Sequence, residues 1–158
     1  AKERFPVQYR RAWALYGRAG ERVRGGDPQT AKILRSVQWQ VDHLPEVPVL
    51  VVACLRGGGK VPYVPMPAVA NSSHYGSIYP SVQNLLLAAR AMGLGASLIT
   101  LPLWSTTAAR RALGLPISVQ PACVVPLGWP RGRYGPTTRR PVGDVVHLDR
   151  FGNQPFKE

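Results

Sequence analysis

Along this chain, apolar and polar positions alternate between a helical period and short continuous runs. Over residues 5–24 apolar and aromatic side chains recur among arginines, which predicts a helix. Trp13, Leu15 and Tyr16 are expected on its buried side, and Arg-Gly-Gly-Asp closes it. Asp27 and Pro28 have the character of an N-cap and a first helical residue. They open a second helix to about His43, with Ala31, Leu34, Val37 and Val41 at helical spacing. "VPVLVVACL" is continuous and β-branched, the mark of a strand covered on both faces. Residues 57–74 are rich in Gly and Pro and longer than most connections, so a functional or mobile loop is expected there.

A long weakly charged stretch follows at 75–102. Ser77 is a candidate N-cap for a helix reaching Met92, and Gly93 is a candidate stop. Val82, Leu85, Leu86 and Ala89 form one face and Leu87 extends another, so the helix is apolar nearly all round. Such a helix is buried on several sides, within a monomer core or against its own copy. "ASLIT" predicts a short strand, Ser105 the cap of a small helix to about Leu113, and "GLP" its end. Residues 119–130 predict another strand, "RGRYGPTTRRP" a basic loop, and "GDVVHLDRFGN" a last short strand and turn.

Composition narrows the class. At 158 residues and 45% apolar, the chain has the size and apolar content of one globular domain. No apolar run reaches the ~18–20 residues of a membrane span. The formal charge is +12, with 20 Lys and Arg against 8 acids. This arginine-rich balance reflects genome composition or an anionic partner. The basic residues are scattered, with no stacking stripe or recognised module, so nucleic acid is not an expected partner. Cys54 and Cys123 lie inside apolar runs and are expected as buried strand thiols. The three histidines are far apart, which gives no metal cluster, and neither GxSxG nor HExxH occurs. "RGGGK" lacks phosphate-loop spacing and is expected to be a flexible loop. Trp104 and Trp129 are candidates for a pocket lining, or for ordinary packing.

The order of the pieces carries more than any one of them. "PVLVVACL", "QNLLLAARAMGLG", "LGLP", "LGWP" and "RRPVGDVVHLDRFG" follow one another in a way that resembles the C-terminal part of the nitroreductase family, over residues 48–152. The resemblance implies an α+β fold in one domain (residues 1–158), with a mixed, mostly antiparallel sheet between helices. It implies a cytoplasmic homodimer that binds FMN, takes hydride from NADH or NADPH and reduces a small-molecule acceptor such as a nitroaromatic or quinone. It places Ile99, Thr100 and Leu101 against the flavin ring and Arg139, with Arg140 beside it, toward the FMN phosphate. No acid–base triad is needed, because the flavin carries the redox chemistry. The family's Arg-[Ser/Thr]-x-Arg and Asn-x-Gln-Pro-Trp motifs do not occur, and "SVQWQ" at 36–40 does not match them. The expectation is therefore an N-terminally truncated member holding one side of an FMN site. The alternative is a shortened, inactive protein that binds or stores flavin, or only dimerises.

Overall fold

The computed structural model describes residues 2–24, 28–56, 68–132, 135 and 139–157, with the backbone alone for 18–24 and 68–74. The elements run α1 (Arg4–Arg24), α2 (Pro28–His43), β1 (Val49–Arg56), α3 (Ala68–Ala91), β2 (Gly95–Ala96), α4 (Thr106–Leu113) and β3 (Val119–Gly128). Short 3-10 turns lie at Leu44–Glu46, Leu101–Leu103 and Val142–Asp144.

The strands form one antiparallel sheet in the order β1-β3-β2. The last apolar run in sequence is thus the central strand, and residues 121–126 of it are all buried. β3 carries Pro121, which cannot donate to a ladder, and the register with β1 shifts between Ala53 and Cys54, where Cys54 meets Pro121. That irregularity lies at Pro121, whereas Pro126 pairs with Leu50 in regular register.

Side-chain alternation sends the two faces of the sheet into separate cores. On one face Val124, with Leu50 and Val52, joins Phe5, Tyr9 and Trp13 of α1, Val41 of α2 and Ala109 of α4. On the other, Cys123 and Val125, with Val51, Ala53 and Leu55, meet Ile78 and Val82 of α3. Helices therefore cover both faces, as the run in β1 predicted. In α1 the buried stripe is Phe5, Tyr9, Ala12 and Trp13, while Leu15 and Tyr16 face outward. The spacing of four between Phe5, Tyr9 and Trp13 selects them, and Leu15 and Tyr16 fall off that stripe.

α2 begins at Pro28, and its Leu34, Val37 and Val41 reach the first core as expected. α3 ends at the predicted glycine. Gly93 has φ +78, its N–H bonds the Arg90 carbonyl at 3.0 Å, and the Leu94 N–H bonds the Ala89 carbonyl at 2.8 Å. This paired closure needs a residue in the left-handed region, which glycine enters without a Cβ clash. α4 is capped by the Ser105 hydroxyl, which accepts from the Ala108 N–H, and ends at Gly114 with φ 64. One of the scattered arginines has a structural task here: Arg110 donates to the Val119 and Ile117 carbonyls and ties α4 to β3.

Besides Leu15 and Tyr16, three expectations are corrected. α3 starts at Ala68 rather than at Ser77, and continues through Pro80. Proline forgoes a helical bond to the carbonyl four residues back. Contacts on both sides of it carry the helix on: Ile78 and Val82 are buried against the sheet, and the Ser81 hydroxyl donates to the Ser77 carbonyl. "ASLIT" forms no continuous strand, because β2 is Gly95–Ala96 and only Ile99 rejoins the ladder, as an isolated bridge to Val124. No strand forms among the described residues after β3. The segment 142–153 is a 3-10 turn and further turns, with Asp149 at φ 59 and Gly152 at φ 95 bending it away from an extended path. The anticipated "RGGGK" loop, the N-cap at Asp27 and part of the basic loop lie outside the described residues.

Candidate functional site

A cleft of about 620 Å³ opens between α2 and residues 97–101. One wall is a polar stripe of α2, Lys32, Ser36 and Gln40, with Ile33 and Val37 beside it. These three recur every four residues, so they stack along one helix face. The other wall is Ser97, Leu98, Ile99, Thr100 and Leu101. Ile99 is held by two bonds to Val124, N–H to carbonyl at 2.9 Å and carbonyl to N–H at 2.8 Å. Ser97 and Leu98 leave the ladder between β2 and that bridge, and so line the cleft.

The walls are tied by a chain of hydrogen bonds. The Tyr9 hydroxyl donates to Gln40 Oε1 at 3.0 Å, and Gln40 Nε2 donates to the Ser97 hydroxyl at 2.8 Å. Tyr9 is buried, and burial pushes its phenol up to about 12 from 10. A raised folded-state value means that the neutral phenol favours the folded state below pH about 10, and that this contribution is lost as pH rises through about 12. Tyr9→Phe should flatten that part of the stability–pH curve in denaturant titrations at stepped pH. Gln40→Ala should cost about 1–3 kcal/mol in the same assay, because it strands the Tyr9 hydroxyl.

The structure brings Ile99, Thr100 and Leu101 together on one wall. Both backbone groups of Ile99 are occupied by Val124, so Ile99 offers a side-chain surface rather than a backbone donor. The N–H groups of Thr100 and Leu101 have no protein acceptor among the described residues, and Thr100 is exposed. The next residue, Pro102, is buried and has no N–H, which starts the 3-10 turn and ends the wall.

Arg139 and Arg140 are exposed and lead through Pro141 into the turn at Val142–Asp144. Neither lines the cleft beside Ile99. Trp104 is 59% exposed on the far side of the Leu101–Leu103 turn and also lies outside the lining. Lys32, Ser36 and Gln40 escaped the sequence reading. Their four-residue spacing was visible, but a polar stripe on a helix normally faces water.

A second cleft, of about 500 Å³, shares Trp39, Gln40 and Ser97 with the first. It runs past His43 and Pro48 to Leu127, Gly128, Trp129 and Arg131. Elsewhere, burial raises the thiols of both Cys54 and Cys123, which keeps them protonated and poor as nucleophiles. No group of three metal-ligating side chains occurs among the described residues. No helix there is long and apolar enough to cross a membrane.

Residues 9–129 match the model of the nitroreductase family. Among solved structures, the fold is similar to a protein of Parabacteroides distasonis ATCC 8503 provisionally named NADH dehydrogenase/NAD(P)H nitroreductase, at 24% identity and a TM-score of 0.53 over 70% of this chain. It is also similar to oxidized iodotyrosine deiodinase bound to FMN and 3-iodo-L-tyrosine, at 21% identity and a TM-score of 0.60 over 96% of this chain. The chain spans 61% of the first protein and 74% of the second. The family match begins inside α1 rather than at Pro48, so the N-terminal helices belong to the shared structure, and it stops at Trp129, before the arginine pair. With α1 to β3 matched in one stretch, the α+β chain belongs to the nitroreductase family.

Proposed function

We propose that this chain is part of a flavin-dependent oxidoreductase and that FMN lies in the cleft between α2 and residues 97–101. The observation that carries the reading is that Ile99, Thr100 and Leu101, the segment assigned to the flavin ring by resemblance, form one wall of that cleft. The donor set fits such a group. Ile33, Val37, Leu98 and Ile99 offer apolar contact to a flat ring, and Gln29, Ser36, Gln40 and Thr100 offer polar partners to its edge. Lys32 adds a positive charge, and the volume of about 620 Å³ lies within the usual range for small-molecule sites.

When bound, FMN supplies the two-electron chemistry, from NADH or NADPH to a nitroaromatic, quinone or similar acceptor. The protein's part is to bind, orient and keep the ring dry. The Tyr9–Gln40–Ser97 chain fixes the spacing of the two walls. Arg139, with Arg140 as its neighbour, is assigned to the phosphate, since a guanidinium bonds phosphate oxygens in pairs. The reading includes a homodimer, in which the arginines of either copy can serve, and a cytoplasmic location. With the family's Arg-[Ser/Thr]-x-Arg absent from the sequence, FMN affinity is expected at about micromolar or weaker.

Titrating FMN into the purified chain, followed by quenching of flavin fluorescence, tests this. Arg139→Ala should weaken binding about tenfold to a hundredfold, the range for a charged hydrogen bond. Unchanged affinity would remove Arg139 from the site. Anaerobic bleaching of the flavin absorbance by NADH or NADPH then separates an enzyme from a flavin-storing or merely dimerising relative. No bleaching with either nucleotide would favour the second.

A further inference from the structure

The geometry points to a second small-molecule site, in the cleft behind Trp39, that takes a planar aromatic carboxylate. It goes beyond the flavin reading and does not depend on it. Trp39 and His43 stand one turn apart on α2 with their rings stacked, centroids 4.2 Å apart and planes 15° apart. The His43 Nδ1 meets the Trp39 carbonyl at 2.8 Å, which fixes the imidazole in this pose. The result is one rigid flat surface. Trp129 lines the same cleft and is 79% exposed. It follows directly on the end of β3, where Gly128 pairs with Gly95 and a Cβ on Gly128 would lie 2.9 Å from Pro48 Cδ, so strand end and proline are in close contact. Two tryptophans and a stacked histidine line these roughly 500 Å³, and Trp39 and Trp129 are 48% and 79% exposed rather than packed away.

Such surfaces hold flat rings by offset stacking. The cleft also has a charge pattern. Arg131 lies at the Trp129 end and Glu46 at the α2 end. A guanidinium recognises a carboxylate by paired hydrogen bonds. Glu46 disfavours a second negative group at the opposite end, so one acidic group per ring suits the site. The overall charge of +12 draws anions toward it. Gln40 and Ser97, already bonded to each other, form the partition with the flavin cleft.

The test is calorimetric titration of the full chain with 2-naphthoate and with its neutral relative 2-naphthamide, with and without saturating FMN. Circular dichroism checks that each variant is folded; Trp129 and Arg131 are exposed, so their replacement leaves the core intact. Wild type should bind 2-naphthoate saturably, with the same affinity in both conditions. Arg131→Gln should weaken 2-naphthoate about tenfold and leave 2-naphthamide unchanged. Trp129→Ala should weaken both about threefold to tenfold. Trp104→Ala, which replaces an exposed tryptophan outside this lining, should change neither. Absence of saturable heat, equal affinity in Trp129→Ala and Arg131→Gln, or displacement of 2-naphthoate by FMN would overturn the site. Failure of FMN to bind would sink the flavin reading and leave this test standing.

Discussion

Val124→Asp is expected to leave the chain without a cooperative unfolding transition. Val124 is fully buried at the centre of the middle strand, in the core formed with α1, α2 and α4. No charged residue is buried among the described residues, and the Tyr9 hydroxyl in this core is already bonded to Gln40, so a carboxylate there finds no partner. An unpaired buried charge costs about 3–5 kcal/mol, against a total stability of about 5–15 kcal/mol for a typical domain. Function goes with stability, because Val124 is also the residue that holds Ile99 in the cleft wall through both of its backbone bonds. Urea titration followed by circular dichroism checks this. Val142→Asp is the control: Val142 is 70% exposed, and its replacement should shift stability by less than about 0.5 kcal/mol. A wild-type transition in Val124→Asp would mean that β3 is not the centre of the sheet.

Leu86→Glu and Leu87→Glu, neighbours on α3, are expected to fail in different ways. Leu86 packs against the core under α3, whereas Leu87 is 58% exposed. A single chain thus covers one side of α3 and leaves Leu87 open on the other. In the proposed homodimer the open side is covered by the second copy. Glu at position 86 should lower the stability of the chain itself. Glu at position 87 should leave a folded protein that sediments as a monomer, with dimer dissociation raised at least about a hundredfold by the buried charge. Sedimentation at stepped concentrations, with circular dichroism on the same samples, reads both. Identical assembly in Leu87→Glu and wild type would move the interface off this face of α3.

What the sequence determined by itself is what neighbouring residues enforce on one another. Proline at the first turn of α2, serine before α4, and glycines in the left-handed region at 93 and 114 act within a few residues, and each was legible. The β-branched runs of β1 and β3, and the order of the segments that resembles the nitroreductase family, were legible in the same way. Tertiary structure alone decided the rest. Ser77 reads as a helix start, yet α3 begins at Ala68 and runs through Pro80, with Ile78 and Val82 on either side of it packed against the sheet. "ASLIT" reads as a strand, yet Ser97 turns out of the ladder to meet Gln40, a partner 57 residues away in the chain. The same long-range bond sets residues 97–101 opposite Lys32, Ser36 and Gln40, so that an exposed polar stripe also lines a cleft. Local preference is worth tenths of a kcal/mol per residue, while a buried hydrogen bond or packed side chain is worth about one or more. Where the two disagree, the distant partner wins, and no window of sequence contains it.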